Sequence, residues 1–173
     1  MILKVDEVRD LCPGMTDPAI QSQLDAIEVM IRAYTNNNFQ VRRARFSASS
    51  AGLALAGASP YIGEGDTVQI SQSGVNDGLY VVKAVAGTST ELDRSLYPVG
   101  SNLVTKIEYP AAVKAVARNL IKWEVERRGK VGVKSETLSR YSVTYHDQDA
   151  SNQVMGYPVS LLGGLKPYMR ARF

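Results

Sequence analysis

The sequence predicts an α+β fold: a small helical bundle formed by both ends of the chain, with an inserted small β-barrel or β-sandwich-like unit between them. Three observations predict it. Apolar residues recur at helical spacing before residue 39 and again after residue 110. Between residues 40 and 109 they alternate instead, in short β-branched runs separated by Gly-rich turns. A length of 173 residues suits one ordinary domain or two small ones. The expected division is therefore 1–39 with 110–173 as a helical domain, carrying a C-terminal strand and tail, and 40–109 as the β unit.

The first element is read as a short helix from near Asp6, with Val5, Val8 and Leu11 on one face and Cys12-Pro13-Gly14 as its stop. A longer helix follows. Thr16 or Asp17 is placed to cap it, Pro18 suits its first turn, and Ile20, Leu24, Ile27, Ile31 and Tyr34 recur at spacings of 4, 3, 4 and 3. Asn36-Asn37-Asn38 ends it, because Asn tolerates left-handed backbone at a helix terminus. Ser47 to Ser59 contains only Ala, Ser, Gly and Leu and reads as a flexible loop or a weak strand. Val68 and Ile70 then alternate with Thr67, Gln69 and Ser71, Asn76-Asp77-Gly78 is a turn signal, and Leu79 to Val85 and Val104 to Tyr109 read as further strands.

Pro110 opens a helix expected to run to about Arg128, burying Val113, Val116, Ala117, Leu120 and Trp123. Gly129 is its stop, and Arg127 and Arg128 complement the negative helix end. Beyond it Tyr141, Val143 and Tyr145 alternate with Ser142 and Thr144, which describes a strand with one apolar face and a pairing need.

The formal charge of +3 conceals a split. Residues 1–39 carry three Lys/Arg against six Asp/Glu, residues 40–109 six against six, and residues 110–173 eleven against five. Opposite ends of one chain could thus attract neighbouring copies in a head-to-tail assembly, and the basic end could face nucleic acid. The single Cys12 excludes an internal disulfide. With no long apolar run and no basic-then-apolar start, the chain is expected to be soluble, unexported and free of any membrane.

Catalytic patterns are missing. His146, Asp147, Asp149 and Ser151 resemble the start of a calcium loop, but Asn152 and Pro158 stand where Gly and the bidentate Glu are needed. Gly63-Glu64-Gly65 lacks the third glycine and the helix of a dinucleotide site, and reads as a turn into a strand. Cys12 and His146 are the only Cys-His pair, and nothing marks either as reactive. Neither an enzyme nor a metal or cofactor is expected. Arg42, Arg43 and Arg45 interleave with Phe39 and Phe46, which suits a small single-strand-binding module, although that segment is net neutral. Lys122, Arg127, Arg128, Lys130 and Lys134 could contact duplex phosphates, or could be a solvated helix face.

Taken in order, the acidic front, the long helix ending at Tyr34-Thr35-Asn36, the Val113 to Leu120 pattern, Gly132-Val133-Lys134-Ser135-Glu136, Tyr141-Ser142-Val143-Thr144-Tyr145, Gly156-Tyr157-Pro158 and Pro167-Tyr168-Met169-Arg170 resemble the head-to-tail connector (adaptor, head completion) proteins of tailed bacteriophages. The likeness covers 1–39 and 110–173 and stops at the insert. It implies a structural virion protein at the head-tail joint, present in the host cytoplasm before assembly. Its partners would be a homo-oligomeric ring, commonly of twelve subunits, the portal protein, a downstream neck or tail-completion protein, and duplex DNA passing without sequence readout. Carried onto this chain, the resemblance implies that Tyr141, Val143 and Tyr145 add an edge strand to a neighbour, that Tyr157, Leu161, Leu162, Tyr168 and Arg170 anchor the tail on a subunit or the portal, and that Arg127, Arg128, Lys130 and Lys134 meet DNA phosphates. Removing residues 157–173 should then spare the helices. The residues leave another reading open, in which Leu161 and Leu162 pack on their own bundle and the strand pairs within the chain.

Overall fold

The computed structural model describes residues 1–127, the strands at 135–138 and 141–144, and residues 153–171. The chain divides into two compact units, Met1 with Asn38–Tyr109 and Ile2–Asn37 with Pro110–Phe173. The fold is α+β, with three helices and a four-stranded antiparallel sheet among the described residues.

In the helical unit, α1 (Asp17–Thr35) follows Thr16, whose extended backbone leaves Pro18 in the first turn. Ile20, Leu24, Ile27 and Ile31 are buried as their spacing requires. The stripe closes on Thr35 rather than Tyr34, and Thr35 turns its hydroxyl back to the Ile31 carbonyl at 2.7 Å. Asn36 takes the left-handed conformation at φ 48°, its N–H meets the Ala33 carbonyl and that of Asn37 the Arg32 carbonyl. This is the Schellman closure of a helix, with Asn in the place glycine usually takes. α2 (Ala111–Arg127) begins where Pro110 offers its carbonyl to the N–H groups of Val113 and Lys114. It buries Val113, Val116, Ala117, Leu120 and Ile121, while Trp123 is half-buried.

The expected first helix does not form. Val5–Glu7 and Arg9–Leu11 are separate 3-10 turns, with Val8 buried between them. Seven residues offer few i→i−4 bonds against the entropy of nucleating a helix, so the tighter turn prevails where side chains can pin it. Arg118 of α2 does so, donating to both Asp10 carboxylate oxygens at 3.1 and 2.9 Å and to the Glu7 carbonyl. Ahead of the turns, the Ile2 N–H donates to the buried Glu28 at 2.9 Å. Part of the acidic front is therefore answered by the basic back inside a single chain.

In the β unit, β1 (Gln40–Ala56), β2 (Thr67–Ser71), β3 (Gly78–Ala86) and β4 (Ser89–Ile107) form one sheet in the order β1-β4-β2-β3, with a further β3–β4 pairing. β4 is the organiser. Its last residues pair with β2, its first with the end of β3, and β1 runs beside it from Gln40↔Ile107 to Leu55↔Thr90. Ala44, Leu55, Val68, Ile70, Val82, Leu92 and Val104 form the core beneath. Glu108 N–H bonds the Phe39 carbonyl at 3.0 Å and the Phe39 and Tyr109 rings lie 4.9 Å apart, so the chain enters and leaves this unit side by side.

For the insert, one expectation is not met and another narrows to one of its two alternatives. Among the described residues no closed barrel is found; the four strands form one antiparallel sheet. The Ala/Ser/Gly run is strand as far as Ala56, since its weak propensity is overridden by the ladder to β4 and by burial of Ala48, Ser50 and Leu55. β4 also reaches back to Ser89, well before Val104. Pro98 is tolerated inside it because it falls where the register shifts, between Gly52↔Leu96 and Ser50↔Val99. Among the described residues, no helix is long and apolar enough to cross a membrane.

Candidate functional site

The C-terminal segment, which carries most of the expected contact residues, is built from short pieces. β5 (Ser135–Leu138) and β6 (Tyr141–Thr144) form an antiparallel hairpin with Glu136↔Val143 and Leu138↔Tyr141. The strand expected to seek a neighbour thus pairs first within its own chain. The side chains of Arg127, Tyr141 and Val143, and all of Arg128, Lys130, Lys134 and Tyr145, lie outside the described residues, as does the His146 to Ser151 stretch.

β7 (Gln153–Val154) and β8 (Tyr157–Pro158) are joined by Met155-Gly156, both at positive φ, 53° and 81°. That is the backbone of a primed two-residue hairpin turn, where Asn-Gly is the favoured pair and a long aliphatic residue in the first place is strained. Met155→Asn should therefore raise stability by about 0.5–1 kcal/mol, read as an increased midpoint in urea unfolding. An unchanged or lower midpoint would show that Met155 makes compensating contacts.

The turn delivers Tyr157 into the unit's own core. Its ring lies 5.4 Å from that of Trp123, and its hydroxyl donates to Glu124. α3 (Val159–Leu162) and a 3-10 turn, Gly163–Tyr168, follow. Leu162 and Leu165 are fully buried, Leu161 and Tyr168 half-buried, and Arg170 exposed. Gly164 approaches α2 so closely that a Cβ there would stand 2.8 Å from Val116 Cγ2. Tyr157 and Leu162 are consequently core residues of one chain rather than anchors on a neighbour. The spacing of aromatic and aliphatic residues is the same for both roles, so only the packing separates them.

The end of the tail is clamped to the end of α1. Asn37 Nδ2 donates to the Tyr168 carbonyl and Asn36 Nδ2 to that of Ala171, each at 3.0 Å, while Arg170 N–H donates to the Thr35 carbonyl at 2.8 Å. The asparagines that stop α1 therefore also hold the tail. Sequence reading found their backbone role and missed this one, since nothing local marks a contact more than 130 residues away.

A second organised surface was not anticipated. Asn76, read as a turn residue, is buried in the β unit and its amide donates to Ser50 Oγ, the Tyr97 carbonyl and Asn102 Oδ1. Its own Oδ1 accepts from Tyr97 N–H at 2.9 Å, and Asn102 passes a further bond to the Ala48 carbonyl. The backbone of Tyr97 is thereby fixed while its side chain remains 70% exposed. Val75, just before Asn76 in the chain, is also exposed, at 62%.

Among the described residues no three His, Cys, Asp or Glu side chains gather to hold a metal. Cys12 is buried, and that burial, with Asp10 nearby, pushes its thiol up, which keeps it protonated near neutral pH. Arg9 and Asp17 pair at 2.5 Å, an exposed contact in which the hydrogen bond from Arg9 draws the carboxylate below its ordinary range. Compared with known proteins, the chain matches no family model and no curated protein.

Proposed function

We propose that this chain is a non-enzymatic structural protein of the bacteriophage head-tail joint, a connector that forms a ring under the portal, extends the DNA channel and docks the next neck or tail protein. What supports the reading is the succession of sequence patterns shared with connectors, and the observation that every such stretch described falls in one compact unit made from the two chain ends. The 40–109 insert sits outside that unit as a separate body with adjacent ends.

The mechanism is multivalent contact. A ring closing on a preformed portal makes each successive subunit contact effectively intramolecular, so individual interfaces can be weak. With Tyr157 and Leu162 committed to the core, contacts between subunits fall to the outer edge of β6, the strand of Tyr141 and Val143, to Tyr145, which follows it in the sequence, and to exposed groups such as Arg170. Arg127, Arg128, Lys130 and Lys134 would meet DNA phosphates without reading bases, which lets the duplex slide.

Cryo-electron microscopy of the native virion should place this chain as a ring, with about twelve copies, between portal and tail. Particles assembled without it should fail to retain DNA or to bear tails. Tailed, DNA-filled particles lacking the protein would sink the proposal. Tight binding of single-stranded DNA by the free protein at physiological salt would favour a small nucleic-acid-binding module using the β unit.

A further inference from the structure

The β unit leaves one long strand with a partner on a single side. Among the described residues β1 pairs with β4 alone, and from Arg45 to Ala48 the ladder runs residue by residue, Arg45↔Thr105 to Ala48↔Asn102. Where the register shifts farther on, at Ser50↔Val99 and Gly52↔Leu96, the additional residues belong to β4. Between Gln40 and Arg45 five residues of β1 span two of β4, but from Arg45 onward β1 itself stays regular until Gly52, whose φ of +60° bends it. The result is a straight seven-residue edge, Arg45–Ala51, about the length of an ordinary strand.

Sheet edges of this kind are commonly guarded by charge, proline or bulges, because their unpaired N–H and C=O groups template a further strand. This edge is guarded at one end only. Arg42, Arg43 and Arg45 are exposed there, and none forms an ion pair among the described residues, Arg45 bonding only the neutral Thr105 and Gln40. From Phe46 to Gly63 there is no charge at all, and the edge side chains, Ser47, Ala48, Ser49, Ser50 and Ala51, are small enough for another backbone to approach.

We propose that the Arg45–Ala51 edge of β1 binds an extended segment of another protein as a fifth, antiparallel strand. That segment is uncharged for most of its length and carries Asp or Glu at its C-terminal end, where antiparallel pairing sets it against Arg42, Arg43 and Arg45. The direction follows the sheet, which is antiparallel throughout. The charge follows from complementarity, three unanswered guanidiniums beside a neutral run. A second copy of β1 does not fit. Parallel in-register pairing would set arginine against arginine, and antiparallel pairing would set them against uncharged residues. A nucleic-acid strand cannot complete the ladder and finds no cation beyond Arg45 along the edge.

The test uses the full chain and a fluorescein-labelled peptide, Val-Thr-Val-Thr-Val-Asp-Asp, followed by fluorescence anisotropy. Saturable binding is expected, weakened about tenfold or more by the exposed double variant R42E/R43E and recovered in that variant by a peptide ending in Lys-Lys. A peptide N-methylated at alternate residues should not bind, since strand addition needs its backbone N–H groups. The proposal is overturned by no saturable binding at millimolar peptide, by equal binding of the lysine peptide to the unmodified chain, by indifference to N-methylation, or by displacement of the peptide with oligothymidylate. Unchanged circular dichroism of R42E/R43E verifies that folding is not what was altered.

Discussion

A chain ending at residue 156 should lose the cooperative unfolding of its helical unit instead of keeping its helices intact. The deletion removes Tyr157, Leu162 and Leu165, all buried in that unit, together with the three hydrogen bonds that join residues 168–171 to the end of α1. Full burial of a large apolar side chain is worth about 1.5–3 kcal/mol, so the three together approach the whole stability of an ordinary domain, about 5–15 kcal/mol. Trp123 is the only tryptophan and lies against Tyr157, so its fluorescence follows this unit directly. A sigmoidal thermal transition retained within a few degrees of the full chain would refute the packing role. Leu162→Ala is the milder form, expected to cost about 2–5 kcal/mol in the same measurement. The outcome bears on function, because a tail needed for folding cannot be removed to test assembly. Assembly is better probed at exposed positions such as Arg170.

Asn76→Ala is expected to destabilise the β unit by about 3–5 kcal/mol, far more than replacing an ordinary turn residue. The substitution takes the Asn76 partner from the Tyr97 N–H and from Asn102 Oδ1, while the Tyr97 carbonyl and Ser50 Oγ keep each other at 2.7 Å; each orphaned buried group costs about 1–3 kcal/mol. The sum is less than additive, because the emptied site can admit water. Asn76→Asp should also fail, since a carboxylate keeps the acceptor for Tyr97 N–H but loses the three donations. Amide hydrogen exchange across residues 90–107 is the appropriate measurement, with loss of protection at Tyr97 as the expected mark. Unchanged protection there would show that β4 holds this bend without Asn76.

These two variants show where local reading stops. The periodicity of α1 and α2 was legible because helix burial repeats with the helix itself, and Ile20, Leu24, Ile27 and Ile31 can face only one way. The alternation of Thr67 to Ser71 and the turn signal after it placed β2 and β3 for the same reason. The N-terminal turns were misread as a helix because a few apolar residues at helical spacing are equally compatible with 3-10 geometry, and the decision rests on Arg118, over a hundred residues away. β1 past Ser47 was read as weak because its residues have little strand preference of their own, while the long β4 that stabilises it is interrupted by Pro98 and Gly100.

The candidate site divides along the same line. By itself the sequence determined the helical ends and the β middle, the charge split and the absence of familiar catalytic patterns, all of which depend on residue identity and short spacing. Only the tertiary structure decided that Tyr157 and Leu162 turn inward, that Asn36 and Asn37 grip the tail, that Asn76 is a buried hub, and that, among the described residues, β1 keeps a bare edge beside three arginines without carboxylate partners. An aromatic side chain has the same affinity for its own core as for a neighbour's surface, and an amide the same capacity to close a turn or bridge strands. Which it does depends on what the rest of the chain brings within reach, and that is a property of the fold rather than of any stretch within it.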